Sequence, residues 1–449
     1  MALTGIEIFK LLPKTNCGEC GVPTCLAFAM SLAAGKAELS ACPYISDEAR
    51  EKLDEASAPP IRPVVIGSGD RKLKVGGETV LFRHEKRFEN PPGLAVHISD
   101  TMTEADVDGR LDRCQNLQYE RVGLTLRPEM IALECKSGDA AKFEALVKKV
   151  IESSDCNIIL MSQDTAVLKA ALGICGERKP LLYAATKDNA DDMAALAKES
   201  SCPLAARADG LDALAELTEK LTQAGVKDIV IDSGARTLRR MFEDQIMIRR
   251  AALNTKFRPL GFPTIVFANE MSDDPMQEAM VAATFIAKYG GIIVLSDFQG
   301  ESLFPLLVLR MNVYTDPQRP LATTEGIYEI GGPDENSPVV LTSNFSLTYF
   351  IVSGEIENSR IPCYLMVKNT EGLSVMTAWA AGKFGSDTIG PFIKKSGITD
   401  KIKHRKLIIP GYIAAESGGL EEELPDWEIM VGPREGAHVP AFLKSWKVS

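Results

Sequence analysis

Histidine is scarce in this 449-residue chain, with four in all. A membrane span and an excess of basic residues are missing, and an export leader is not expected. No run of about 18 apolar residues occurs, which excludes a transmembrane helix. The opening MALTGIEIFKLLPKTNC has no basic region leading into an apolar core and cleavage site. A cytoplasmic chain with reduced thiols is therefore expected. Lys+Arg total 50 against 61 Asp+Glu, a net charge of −11, and no basic patch stands out. Such a surface repels phosphate backbones, so nucleic acid is not an expected partner, and neither is a membrane. Low-complexity tracts and coiled-coil heptads are absent too. With 45% hydrophobic and 25% charged residues the composition is that of a folded protein, and the length suggests three domains.

The cysteines are present and unevenly spread. Cys17, Cys20, Cys25 and Cys42 crowd the N-terminal segment, whereas Cys114, Cys135, Cys156, Cys175, Cys202 and Cys363 stand singly and read as small buried hydrophobes. The spacing Cys-x2-Cys-x4-Cys-x16-Cys, with Pro43 after the last, suits four thiolates converging on a [4Fe–4S] cluster, and no histidine lies nearby. Zinc and an unmetallated thiol set are the alternatives. Residues 1–58 read as a small helical module, with Thr24 capping one helix and Ser46 opening another. Ala56-Ser57-Ala58-Pro59-Pro60 is a hinge. A cluster on so separate a module suggests single-electron delivery rather than stapling alone.

Residues 59–92 switch to period-two alternation, with Gly76-Gly77 as the expected turn of a β-hairpin linker. From 93 to 310, eight apolar runs alternate with amphipathic stretches: GLAVHIS, MIALECK, NIILMS, PLLYAAT, CPLAAR, DIVIDSG, TIVFAN and GIIVLSD. Eight such units predict a (β/α)8 barrel. A doubly wound sheet would carry a Gly-rich phosphate loop after its first strand, and none is visible. His97, Asp232 and Asn269 end strands at the mouth, where catalytic groups sit, although packing is the plainer role of His97. Residues 311–326 read as a linker without an apolar face, open to protease at Arg310 or Arg319.

Residues 327–449 give a second α/β unit, Rossmann- or flavodoxin-like, with strands PVVLTSN, CYLMVKN, KLIIPG and WEIMVGP. Ligands of such sheets sit beyond the strands' carboxyl ends. Thr342-Ser343-Asn344, Asn369 to Val375, Pro410-Gly411-Tyr412 and the 432–438 loop lie there, rich in small residues that admit a large ligand. A flavin would fit, and so would a corrinoid. His438 in the last loop reads as a surface residue.

The opening LTGIEIFKLLPKTNCGECGVPTCLAFAMSLAAGKAEL…CP, the barrel behind it and the segment EGLSVMTAWAAGKF together resemble the large subunit of the corrinoid/iron–sulfur proteins of the reductive acetyl-CoA pathway. The resemblance implies a [4Fe–4S] cluster on Cys17, Cys20, Cys25 and Cys42. It implies corrinoid contacts at Thr342, Thr348, Gly372, Leu373, Ser374, Val375, Gly432, Pro433 and Ala437. It implies a methyl carrier that pairs with a small barrel subunit, is charged from methyltetrahydrofolate by a methyltransferase, and serves CO dehydrogenase/acetyl-CoA synthase. The cluster would restore oxidised Co(II) to Co(I). No histidine stands in the Asp-x-His-x-x-Gly pattern of cobalamin domains, which implies a base-off corrinoid without a protein histidine ligand. The competing readings are an iron–sulfur/flavin electron-transfer adaptor and a pterin-dependent methyltransferase acting through the barrel.

Overall fold

The computed structural model describes residues 5–33, 37–46, 49–50, 53, 59–121, 124–316 and 320–447. Its strands, in chain order, begin with β1 (Val64–Ile66) and β2 (Leu73–Val75), β3 (Gly93–Ser99), the pair β4 (Tyr119–Arg121) and β5 (Leu124–Leu126), then β6 (Met130–Glu134) and β7 (Asn157–Met161). They continue with β8 (Leu181–Ala185), β9 (Leu204–Arg207), β10 (Ile229–Asp232), β11 (Thr264–Phe267) and β12 (Gly290–Leu295). The last five are β13 (Gly326–Ile330), β14 (Val339–Ser343), β15 (Cys363–Lys368), β16 (Lys406–Ile409) and β17 (Glu428–Val431).

All eight apolar runs become parallel barrel strands: β3, β6 and β7 to β12 close on one another through the β12–β3 pair. The runs are nearly continuous in Val, Ile, Leu and Ala because each strand is covered on both sides, by core and by helices. Short polar residues start the helices that follow. The side chains of Thr103, Asp139, Asp164, Thr237 and Asp274 accept first-turn backbone N–H groups. Each satisfies donors the helix itself cannot.

The segment read as a linker is part of this barrel. β1 and β2 pair antiparallel, and Val64, Ile66 and Val75 join the same buried cluster as Ala95, Met130, Ile159, Ala205 and Ile292. The hairpin therefore plugs the barrel at the N-terminal ends of its strands, where Asn157 Nδ2 donates to Arg71 O and Gly67 N to Lys179 O. The turn lies at residues 67–72, not at Gly76-Gly77, which follow β2. Period two identified the strands correctly, but a six-residue turn left no signal as sharp as Gly-Gly.

The helix after β12 runs from Gly300 to Val313, so residues 311–313 belong to it rather than to a linker. Arg310, expected as an exposed cleavage point, is buried: its guanidinium pairs with both oxygens of Glu129 and donates to Pro92 O. Arg319 lies outside the described residues, as do Ala56, Ser57 and Ala58 of the hinge.

Two compact units emerge. One comprises residues up to Gln118 together with Arg127–Tyr314; the other comprises Tyr119–Leu126 and the chain from Thr315 onward. The C-terminal sheet has the order β13-β15-β14-β16-β17, with β13 antiparallel to β15 and the other strands parallel. Alternate residues feed two cores: Val339 and Leu341 on one face, Val340 with Leu365 and Val367 on the other. The edge strand β13 and the β4–β5 hairpin were not anticipated. GIYEI and the residues around Tyr119 are only partly buried and carry no apolar run.

Candidate functional site

The N-terminal module gathers its apolar side chains into a cluster of its own, Ile8, Leu12, Phe28, Ile45 and Leu53, with Cys25 and Cys42 buried among them. Thr24 Oγ1 accepts from Ala27 N at 3.1 Å and Ser46 Oγ from Ala49 N at 3.2 Å, so both expected caps are made. Cys17 is exposed and Cys20 half-buried, and all four thiols are free. Between them the chain turns at Gly18 and Gly21, at φ of +76° and +84°, angles that side chains resist. Asn16 braces the loop: its Oδ1 accepts from Cys25 N at 2.8 Å and its own N–H donates to Cys25 Sγ at 3.4 Å. Among the described residues, no group of three or more His, Cys, Asp or Glu side chains is arranged around a metal position. The donor chemistry nonetheless fits an iron–sulfur cluster: four free thiols on one braced loop system, with a backbone N–H already directed at sulfur.

In the C-terminal unit β14 and β15 pair over five residues, but β14 and β16 meet only at Val340–Ile408. Reading the parallel strands as first to fourth, their order is 2-1-3-4, and this gap lies where the order reverses. That is where open α/β sheets bind ligands. A cavity of about 380 Å³ occupies the position, within the range of small-molecule sites. Thr342, Thr348, Ser374, Val375, Gly432 and Pro433 line it, six of the nine expected contacts. Gly372, Leu373 and Ala437 do not.

Gly372 and Leu373 serve a turn behind the wall. Asn344 Oδ1 accepts from Thr370 N and Gly372 N at 2.9 and 3.0 Å, and the Thr370 hydroxyl lies 2.9 Å from that oxygen and 2.8 Å from Leu373 O, donating to one of the two. This knot sets the course of the chain into Ser374. The wall also contains Tyr412, from a strand-end segment the sequence had marked, and residues that sequence reasoning had not singled out, Ile351, Val352, Met376 and Phe442. Tyr412 Oη donates to Glu435 Oε1 at 2.6 Å, and that bond holds the phenol above its ordinary range. The hydroxyls of Thr342, Ser343 and Ser346 are buried without a hydrogen-bond partner. Folded proteins seldom leave three such groups unpaired. Of the three, Thr342 lines the cavity, where its hydroxyl fits a polar ligand edge.

The barrel mouth is occupied by its own side chains. Asp232 accepts from Tyr183 Oη at 2.6 Å, from two Arg236 nitrogens at 2.8 and 3.0 Å, and from Gly234 N at 2.9 Å. Its carboxylate has little left to offer a ligand. His97 Nε2 bonds Glu134 at 2.9 Å, which holds that carboxyl below its usual range. Asn269 Oδ1 is buried and unpartnered.

A closed barrel, four free N-terminal thiols and an open sheet with a strand-end cavity define a modular α/β protein. The family model described as "CO dehydrogenase/acetyl-CoA synthase delta subunit" matches residues 63–443, and one described as "Putative Fe-S cluster" matches residues 12–44. The chain is 46% identical over 445 residues to the corrinoid/iron-sulfur protein large subunit of Moorella thermoacetica, covering 99% of both. It is 37% identical over 458 residues to the acetyl-CoA decarbonylase/synthase complex subunit gamma of Methanopyrus kandleri, covering 98% of this chain and 97% of that one. The chain belongs to this family of corrinoid/iron–sulfur protein large subunits and their archaeal gamma-subunit relatives.

Proposed function

We propose that this chain is a corrinoid methyl carrier, in which Co(I) accepts a methyl group originating from methyltetrahydrofolate and passes it to acetyl-CoA synthase. A [4Fe–4S] cluster on Cys17, Cys20, Cys25 and Cys42 supplies the electron that returns adventitious Co(II) to service. The observation that carries this reading is the cavity at the reversal point of the C-terminal sheet, in a chain related over 99% of its length to a corrinoid/iron–sulfur large subunit. The C-terminal unit is then a flavodoxin-like corrinoid-binding domain. Thr342, Thr348, Ser374 and the Gly432–Pro433 loop hold the cofactor by hydroxyl and backbone contacts, while Ile351, Val352 and Met376 exclude water from it. Ile351, Met376 and Tyr412 stay exposed for apolar residues of their size, as a surface later covered by cofactor or partner would be.

The histidines support a base-off corrinoid. His404 is fixed between Ser337 O and Lys406 N and His97 by Glu134, while His84, stacked on Phe82, and His438 are exposed. No histidine lines the cavity. The partners in this reading are a small barrel subunit forming a heterodimer, a methyltransferase, and CO dehydrogenase/acetyl-CoA synthase. Among the described residues no helix is long and apolar enough to cross a membrane.

Metal analysis and the visible spectrum of anaerobically purified protein test the proposal. About four iron and one cobalt per chain with corrinoid bands are expected; zinc alone, or flavin bands, would overturn it. Thr342→Val supplies a second check. Removing a buried, unpaired hydroxyl should stabilise the cofactor-free chain by about 1 kcal/mol in urea unfolding, whereas corrinoid retention should fall about tenfold. Weakened folding with unchanged retention would mean the hydroxyl serves the protein and not the ligand.

A further inference from the structure

Two of the scattered cysteines meet. Cys114, on the Glu104–Asn116 helix, and Cys156, one residue before β7, are buried with their sulfurs 3.2 Å apart. They line a cavity of about 460 Å³ at the plugged end of the barrel, together with Arg71, Arg127 and Arg178. Arg178 is braced there by Ser154 O and Ile151 O at 2.5 and 2.8 Å, and Arg71 by Asp155. Three guanidiniums around a thiol pair make a site for a thiolate. The only acids lining the cavity are Asp155, already paired, and Glu152.

The two sulfurs are not equivalent. Either sulfur can donate to the other; with Cys114 as the donor that bond, aided by Ser154, Arg71 and Arg127, lowers the Cys156 thiol from its ordinary range. The same bond, burial and Glu129 push Cys114 up. By contrast burial pushes Cys175 and Cys363 up to about 12.

We propose that Cys114 and Cys156 are a reversible redox pair, Cys156 attacking and Cys114 resolving, closed to a disulfide by hydroperoxides. The Cys156 thiolate attacks a peroxide oxygen; an S–O bond forms as the O–O bond breaks, and the alcohol, or water from hydrogen peroxide, leaves with a proton. Cys114, giving up its proton, then attacks the sulfenic sulfur, forming the S–S bond and expelling the oxygen as water. Two thiols and one hydroperoxide thus give one disulfide, one alcohol and one water, with two electrons passing from sulfur to oxygen. Bond formation needs an approach of only about 1.1 Å from the present separation. Gln115 and Arg127, which line the cavity, flank in sequence the β4–β5 pair, and oxidation would tie the end of the Glu104–Asn116 helix covalently to the start of β7.

The test uses the full chain under anaerobic conditions, one equivalent of hydrogen peroxide, maleimide quenching and non-reducing peptide mass spectrometry. The Cys114–Cys156 link should exceed any other pairing among the six scattered cysteines at least tenfold and disappear with dithiothreitol. In Cys114→Ser a dimedone adduct should accumulate on Cys156; in Cys156→Ser none should form on Cys114. A second readout needs no variant: at pH 7, iodoacetamide should alkylate Cys156 at least about tenfold faster than Cys175 or Cys363. Oxidation spread evenly over the scattered cysteines, no link, or equal alkylation rates would each overturn the proposal.

Discussion

Cys20→Ala is expected to strip the iron–sulfur centre, taking iron from about four per chain to near zero, while bound corrinoid stays unchanged. Methyl exchange should persist once the cobalt is reduced chemically, and reactivation by protein electron donors should fall at least about 100-fold. The choice of residue follows from packing. Cys25 and Cys42 are buried in the module's apolar cluster beside Ile8, Phe28 and Leu53, so truncating either removes core as well as a ligand. Cys20 is only half-buried, and its loss leaves that cluster nearly whole. The apolar clusters of the C-terminal sheet share no residue with the module, so damage should not spread there. Loss of methyl transfer from pre-reduced, folded variant protein would place the cysteine loop on the methyl path and sink the division of labour proposed here.

What the sequence disclosed, and what it hid, follow the same physics. Strands covered on both faces must be apolar throughout, which is why all eight barrel strands stood out as runs such as NIILMS and DIVIDSG. The strand-end loops of the C-terminal sheet were legible because small residues cluster where a chain must turn and a ligand must approach. Contacts made by distant residues leave no such trace. Nothing in PVVIGSG says that Val64 and Ile66 fill a barrel. Nothing around Arg310 announces Glu129, 181 residues away. Asn344 could be placed at a strand end, but not as the acceptor that organises Thr370 and Gly372. The Cys114–Cys156 contact spans 42 residues, and each cysteine alone looked like an ordinary buried hydrophobe. Local pattern revealed the barrel strands and the parallel C-terminal strands; β13, the β4–β5 hairpin, the charged pairs and the thiol pair required the fold.

Gly411→Val should produce the reverse phenotype of Cys20→Ala: cobalt reduced to near zero with iron still at about four per chain. The loop after β16 is laced to the loop after β17, Gly411 N donating to Pro433 O at 3.1 Å and Gly432 N to Ile409 O at 2.8 Å. A Cβ at Gly411 would come within 2.6 Å of Gly432 O and 2.9 Å of Arg434 N, and both are backbone atoms that no rotamer change can move aside. The bulk of valine therefore has to push the Gly432–Arg434 segment away from β16. That segment and Pro410–Tyr412 supply one wall of the cavity, so the push distorts the binding site itself. Val339, Leu341, Leu365 and Val367 of the two sheet cores lie on β14 and β15, away from it, and the barrel belongs to the other compact unit. Circular dichroism should stay within about a tenth of the parent signal, since the affected residues are a short loop. Full corrinoid retention in Gly411→Val, with iron unchanged, would move the cofactor away from the β14–β16 gap and overturn the assignment of this cavity.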